Sequence, residues 1–258
     1  MNQATIRFYA HLNRFLPPKD RQHAIDVAFQ GEPSVKHLIE ARGVPHTEVA
    51  LIWVGDVSVD FSYKVKDHDK IAVYPEFHTL DIGAEEKFRP PLTAEPRFVL
   101  DNHLGKLSTL LRMAGFDALY ANHLTDSELA AISAGQNRIL LTHDRSLLFH
   151  KQIVYACYIW SPVPEIQLAE VLERYHLEDQ IRLFERCLRC NEPLLTIDKE
   201  VIQDRIPPKV LDSFTEFKTC PACGRIYWKG DHYDNMTKMI DRVRTHLLTR
   251  DHNRLLWA

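Results

Sequence analysis

The chain has 258 residues, more than the roughly 100 to 200 of one ordinary core, so two or three modules are expected. Its composition is 45% hydrophobic and 26% charged, with no apolar run near the ~20 residues that cross a bilayer, which fits a globular protein and excludes a helical membrane span. A formal net charge of −3 excludes a global attraction to nucleic acid, so any polyanion site must be a local basic surface.

The N-terminal stretch MNQATIRFYAHL has neither a basic start with an apolar core nor a small-residue cleavage site, so no secretory signal is read and a cytoplasmic protein is expected. ATIRFYA and HAIDVAF are β-like runs. PSVKHLIEARG places Val35, Leu38 and Ile39 at helical spacing and stops at Gly43. EVALIWVGDVSVDF holds two β-rich runs around a Gly55–Asp56 turn, and KVKDHDKIAVYPEF is a turn followed by a strand, for an order ββαββ. That order, with the V-G-D-x-x-V turn and the D-H-D-K-I-A-V-Y-P ending, resembles the ubiquitin-like β-grasp proteins of the ThiS and MoaD sulfur-carrier type over roughly residues 3 to 80. Such carriers act through a C-terminal Gly-Gly, whereas this chain runs on as HTLDIGAEEKFRPP. The resemblance therefore implies a structural or partner-binding module at residues 1–80.

Residues 81–96 are charged and proline-bearing with little periodicity, and are expected to form a linker. The second module, residues 97–180, alternates strands and helices. RFVL is followed by HLGKLSTLLRMAG, with Leu104, Leu107, Leu111 and Ala114 on one face and Gly115 as its stop. DALY, NRILLTHD and IVYACYIW read as strands, and TDSELAAISAGQ and PEIQLAEVLERYHL as helices. Strands spaced by helical crossovers predict a parallel α/β sheet. Cys157, inside the apolar IVYACYIW, reads as a buried and inert thiol.

The carboxylates fall at telling places. Asp101 directly follows the first of these strands, Asp126 opens the helix after the second, and Asp144 directly follows the third. In an open parallel sheet such positions lie near the C-terminal edge, where ligands bind. Carboxylates without a companion histidine cluster suit Mg²⁺ or Mn²⁺, hard cations that take oxygen ligands. Such an ion activates water and stabilises charge on a phosphate under attack, the chemistry of a metal-dependent nuclease. Each acidic residue also has a structural reading: Asp101 as a helix cap, Glu128 as half of a capping box with Thr125, and Asp144 as the cap of a turn at RSLLFH. Glu128, Lys106 and Arg112 are weaker site candidates; the two basic residues are six apart and so on different helix faces, where a solvated surface is the ordinary role. Arg145 adjoins the acidic loop and is a candidate phosphate contact.

The stretches FVLDNHLGKLSTLLRMAGFDALY, TDSELAAI, RILLTHDRSL and PEIQLAEVL, continued by RCLRCNEPL and CPACGRIYWKGDHYDNM, resemble the PIN-like ribonuclease family known from the C-terminal region of the Mut-seven exonuclease, over roughly residues 96 to 240. The resemblance implies cleavage of RNA, with Asp101, Asp126 and Asp144 at acidic metal-binding positions. One departure is visible: the family's T-R-D triplet stands here as Thr142-His143-Asp144.

Four of the five cysteines form two C-x-x-C pairs, Cys187/Cys190 and Cys220/Cys223, with 29 residues between them (191 to 219). This is zinc-ribbon form: four thiolates complete a tetrahedral site that leaves no open position for water, so the implied Zn²⁺ is structural. Redox dithiols and disulfides compete with this reading, the latter disfavoured in a reducing compartment. The C-terminal module, residues 181–258, also mingles Tyr227, Trp228 and Tyr233 with lysines and arginines, which suits stacking on unpaired bases or, equally, packing in a small ribbon. The sequence thus predicts an α/β protein of three parts (β-grasp module, PIN-like sheet domain, zinc ribbon) acting as a divalent-metal-dependent ribonuclease. A non-catalytic RNA-binding adaptor with a degenerate PIN-like domain is the alternative, and a sulfur-transfer role the third reading.

Overall fold

The computed structural model describes residues 1–76 and 95–255, with side chains through Leu247. The expected linker lies outside these residues except for Glu95 and Pro96. Two compact units emerge: Met1–Ala94 together with Asp144–Cys157, and Glu95–His143 together with Tyr158–Ala258. Among the described residues no helix is long and apolar enough to cross a membrane.

The first unit is built on a sheet ordered β2-β1-β5-β3-β4, formed by β1 (Asn2–Phe8), β2 (Ala24–Phe29), β3 (Leu51–Val54), β4 (Val57–Ser58) and β5 (Lys70–Tyr74). β1 is antiparallel to β2 but parallel to β5, with Ile6 opposite Ile71. A parallel pair needs a crossover, which α1 (Val35–Ala41) supplies, capped by the Ser34 hydroxyl accepting from the His37 amide. Strict alternation in AIDVAF buries Ile25, Val27 and Phe29 and exposes their neighbours, as a sheet with one covered face requires. Both β-rich runs around the Gly55–Asp56 turn are strands, β3 and β4, so with β5 the order is ββαβββ, one strand more than ββαββ counts.

The second unit holds the sheet ordered β7-β6-β8-β9, from β6 (Arg97–Leu100), β7 (Asp117–Tyr120), β8 (Ile139–Thr142) and β9 (Ala156–Tyr158), whose last residue alone belongs to this unit. β6 is parallel to both β7 and β8. Phe98, Val99 and Leu100 and the whole of β8 are buried, the continuous apolar run of a parallel sheet covered on both faces. The crossover helices are α2 (Gly105–Met113) and α3 (Asp126–Gln136), and α4 (Pro164–Tyr175) follows β9. The predicted inward face of α2 is the buried one: Leu104, Leu107, Leu111 and Ala114 are all at most 1% exposed.

Gly115 ends α2 at φ +97°, and a Cβ there would collide with the Arg182 carbonyl. Because both the left-handed backbone and the space demand glycine, Gly115→Ala is expected to cost at least about 2 kcal/mol. A urea unfolding curve with an unshifted midpoint would refute that account.

The chain then forms a three-stranded antiparallel sheet ordered β10-β11-β12, from β10 (Leu195–Thr196), β11 (Phe217–Thr219) and β12 (Ile226–Trp228). The long spacing between the cysteine pairs is taken up by α5 (Lys199–Ile202) and α6 (Pro208–Ser213). They build a small core of Ile202, Ile206 and Phe217, packed by Val210, Phe214 and Trp228 among others. The last helix, α7 (Asp231–Leu255), buries Met239, Ile240, Val243 and Leu247, and its Arg242 pairs with Glu165 of α4 at 2.8 Å.

Candidate active site and metal centre

Asp101 stands at the C-terminal end of β6 and is 4% exposed. Its Oδ1 accepts from the His103 amide at 2.8 Å, capping the short turn that leads into α2. Its Oδ2 accepts from the Thr142 hydroxyl and, at 2.8 Å, from the His143 amide. The carboxylate therefore ties the ends of two neighbouring parallel strands together at the predicted edge. Each carboxylate oxygen accepts about two bonds, so Oδ1 keeps capacity for an ion or a water beside the His103 amide.

His143, which stands where the resembled family has arginine, is held on both ring nitrogens. Nδ1 lies 2.7 Å from the Ile159 carbonyl, which can only accept, so Nδ1 carries the proton. Nε2 then accepts from the Gln167 amide at 3.2 Å, while that amide also donates to the Ser161 carbonyl. Gln167, in the first turn of α4, was not singled out from sequence because nothing local marks it.

Asp126 is exposed on the first turn of α3. Asp144 is exposed, and its Oδ1 accepts from the Ser146 amide and hydroxyl at 2.7 and 2.8 Å, the turn cap that its sequence position also allowed. Glu128 is the capping-box partner: its Oε2 accepts from the Thr125 amide and hydroxyl, while Thr125 Oγ1 accepts from the Glu128 amide. Those bonds hold its carboxyl below the ordinary glutamate range. Lys106 is exposed and borders a groove with Leu110, Val163 and Glu165.

Two basic candidates have partners far away in the chain. Arg112 is no solvated surface cation but 6% exposed, with Nε donating to Ala118 O at 2.9 Å and Nη1 to Leu188 O and Arg189 O at 3.1 and 2.9 Å. The helical phase that separates it from Lys106 turns it inward, and its long side chain reaches the first cysteine pair. Arg145, expected to contact phosphate, donates through Nη2 to Phe15 O at 3.0 Å and Gly43 O at 3.3 Å. Its guanidinium lies 5.1 Å from the Phe15 ring centroid.

The four paired cysteines come together, with every ligand sulfur within 4.8 Å of the others. Cys187 Sγ and Cys223 Sγ are 3.7 Å apart, against the ~3.8 Å edge of a tetrahedron with Zn–S bonds of ~2.3 Å. The two knuckles share one backbone pattern. Asn191 N donates to Cys187 O and Gly224 N to Cys220 O, while Cys187 N donates to Glu192 O and Cys220 N to Arg225 O. Both turns need a left-handed residue after the second cysteine, supplied by Asn191 at φ +69° and Gly224 at φ +67°. That Asn/Gly echo was the overlooked sequence signal. Among the described residues this is the group of His, Cys, Asp or Glu that could hold a metal ion, and the acidic residues above are not part of it.

Burial resists ionisation of Cys187, but bonds from the Tyr227 hydroxyl at 3.1 Å and from the Cys190 and Arg189 amides bring its thiol down to about 6. Cys190, bonded to Cys223 and facing the Cys187 charge, is pushed up to about 12. A metal held here would favour the thiolate at all four positions. Tyr227, partly buried, packs against the cysteine cluster. Trp228 packs in the α5–α6 core, and Tyr233 meets Phe184 edge-on at 5.8 Å.

The first knuckle is fastened to the parallel sheet at the strand starts, away from Asp101. Asn191 Nδ2 donates to Asp117 Oδ1 at 2.7 Å, Asn191 Oδ1 accepts from the Ala118 amide, and Arg186 Nε donates to Gly115 O. Burial works against the Asp117 charge, yet Arg138 at 2.6 Å and Asn191 outweigh it and hold the carboxyl below its usual range.

Residues 96–240 match the family model described as Mut7-C RNAse domain, and residues 1–81 match that described as Mut7-C ubiquitin. No curated protein matches the chain. With a parallel sheet carrying a buried carboxylate at its C-terminal edge, a four-cysteine cluster fastened to that sheet, and a β-grasp module before both, the chain belongs to the Mut7-C RNAse domain family.

Proposed function

We propose that this chain is a divalent-metal-dependent ribonuclease in which Asp101, Asp126 and Asp144 hold Mg²⁺ or Mn²⁺, and that the four cysteines hold a structural Zn²⁺. The observation that carries the reading is Asp101, a buried carboxylate bonded across two parallel strand ends in a domain of a ribonuclease family. The donor set is all oxygen, as such ions prefer, and Mg²⁺ is commonly held by one or two carboxylates plus substrate phosphate rather than by a finished protein cage. A bound ion would polarise a phosphoryl oxygen and supply a nucleophilic water at neutral pH. Asp101, rigidly bonded, sets the position of the site. Asp126 and Asp144, both exposed, are the ligands that RNA and ion can reach. Four cysteines kept as metal-holding thiolates suit a reducing, cytoplasmic setting, and the β-grasp module is a surface for a protein partner.

A second reading, RNA binding without cleavage, draws on His143 and Arg145, the two basic residues flanking Asp144, because both already serve protein acceptors. The two readings separate in variants that leave the fold intact. Asp126→Asn and Asp144→Asn are expected to lower Mg²⁺- or Mn²⁺-dependent cleavage of labelled RNA by roughly 10²-fold or more without moving the thermal midpoint. Asp101→Asn would be confounded, since an amide cannot accept from all of its donors. A folded, zinc-loaded protein that cleaves no member of a mixed RNA and DNA panel and binds no Mn²⁺ would sink the nuclease reading and favour binding alone.

A further inference from the structure

The turn between α1 and β3 carries His46, Thr47 and Glu48, three polar residues on a connection, where exposure is the rule. Here they are 6%, 1% and 3% exposed. Two of them bond residues of the Asp144–Cys157 segment, which folds in the same unit. Thr47 Oγ1 donates to Leu148 O at 3.0 Å, and His46 Nε2 donates to Ile153 O at 3.2 Å. Leu147, Leu148 and Ile153 of that segment are at most 3% exposed. At its head Arg145 grips Phe15 O and Gly43 O, the latter on the left-handed residue, φ +81°, that follows α1. Asp144 precedes Arg145 directly and is bonded to Ser146, so its side chain belongs to the same small turn.

These contacts join residues 101 to 130 positions apart, and they use the module's carbonyls and hydroxyl where an isolated β-grasp domain would present them to water. We propose that the N-terminal module is the scaffold that holds the Asp144 loop, with Arg145, Thr47 and His46 as positioning residues, a role that rests on the reading of Asp144 as a metal-holding carboxylate. It gives the β-grasp fold a task that needs neither a Gly-Gly terminus nor a recruited partner. A loop released from this grip would still carry Asp144, but in many orientations, and reacting geometry displaced by about 1 Å can lose 10²-fold in rate.

The test compares full-length, zinc-loaded wild type with Thr47→Val, Arg145→Gln and Arg145→Lys. Amide hydrogen exchange reads the loop directly, because Ser146, Leu148, Phe149, His150 and Ile153 amides are bonded within it. Exchange at those amides is expected to quicken on the order of tenfold in Thr47→Val and Arg145→Gln, the scale of one lost hydrogen bond. Single-turnover cleavage of a labelled RNA in Mn²⁺ is expected to slow on the order of 10- to 100-fold at saturating RNA with KM unchanged, and Arg145→Lys, which keeps one donor, to recover part of it. Unchanged exchange in both variants would overturn the proposal. So would a raised KM with the rate constant kept, the mark of a lost phosphate contact. If wild type cleaves no RNA, the nuclease reading fails by itself, and the exchange measurement alone decides whether the module holds the loop.

Discussion

Removing the proposed zinc, by chelation or by Cys220→Ser, is expected to unfold the ribbon and to loosen the parallel sheet with it. The ribbon's own cores are small: Cys187, Leu194 and Cys220 in one, Ile202, Ile206 and Phe217 in the other. Modules of this size seldom fold on apolar burial alone. A structural zinc contributes on the order of 10 kcal/mol or more to such a module. Cys220 is 1% exposed, and serine in its place offers no thiolate to close the tetrahedron. Because Asn191, Arg186 and the Leu188 and Arg189 carbonyls that Arg112 grips lie on or beside the first knuckle, the effect should travel to α2 and β7. Metal analysis should find one zinc per chain in wild type and nearly none in the variant. Calorimetry should find the midpoint of the second unit lowered by roughly 10 °C or more. A variant that loses zinc yet keeps its midpoint would make the metal an adornment and not a structural part.

Arg112→Met is expected to cost about 3 to 5 kcal/mol, since three hydrogen bonds from a charged donor, worth about 1 to 3 kcal/mol each, are lost. Methionine matches the stem of arginine but donates nothing, so the carbonyls of Ala118, Leu188 and Arg189 lose their charged donor. Burial draws the Arg112 pKa down, while Cys187, Cys190 and Asp117 pull it up, so the cation also balances the negative knuckle. Zinc affinity should fall together with the urea midpoint. KM for RNA should stay put, which separates this structural role from a contact with substrate. A raised KM with unchanged stability would reverse the assignment.

What could be read without coordinates was carried by neighbours in the chain. The alternation in AIDVAF, the leucine spacing of α2, the Thr125–Glu128 capping box and the C-x-x-C pairs each depend on residues a few positions apart. The placement of Asp101 after a strand and before a helix has the same character, and so its capping bond to His103 was foreseeable. The Arg112 contacts were not, because a basic residue on an amphipathic helix reads as solvated until the chain 76 residues later supplies carbonyls beneath it. The Arg145 contacts were hidden for a related reason: its neighbour in sequence is Asp144, while the carbonyls it reaches lie 130 and 102 residues upstream.

The sequence by itself therefore determined the element types, the two β-sheet classes, the paired knuckles and the set of carboxylates at strand ends, because propensity, period, capping and ligand spacing act within a few residues. Only the tertiary structure decided which cations are committed, that the first knuckle is fastened to the starts of the parallel strands, and that the Asp144 loop folds with the β-grasp module. Those outcomes rest on backbone carbonyls, which every residue owns alike and which become particular only when folding brings a distant donor to them.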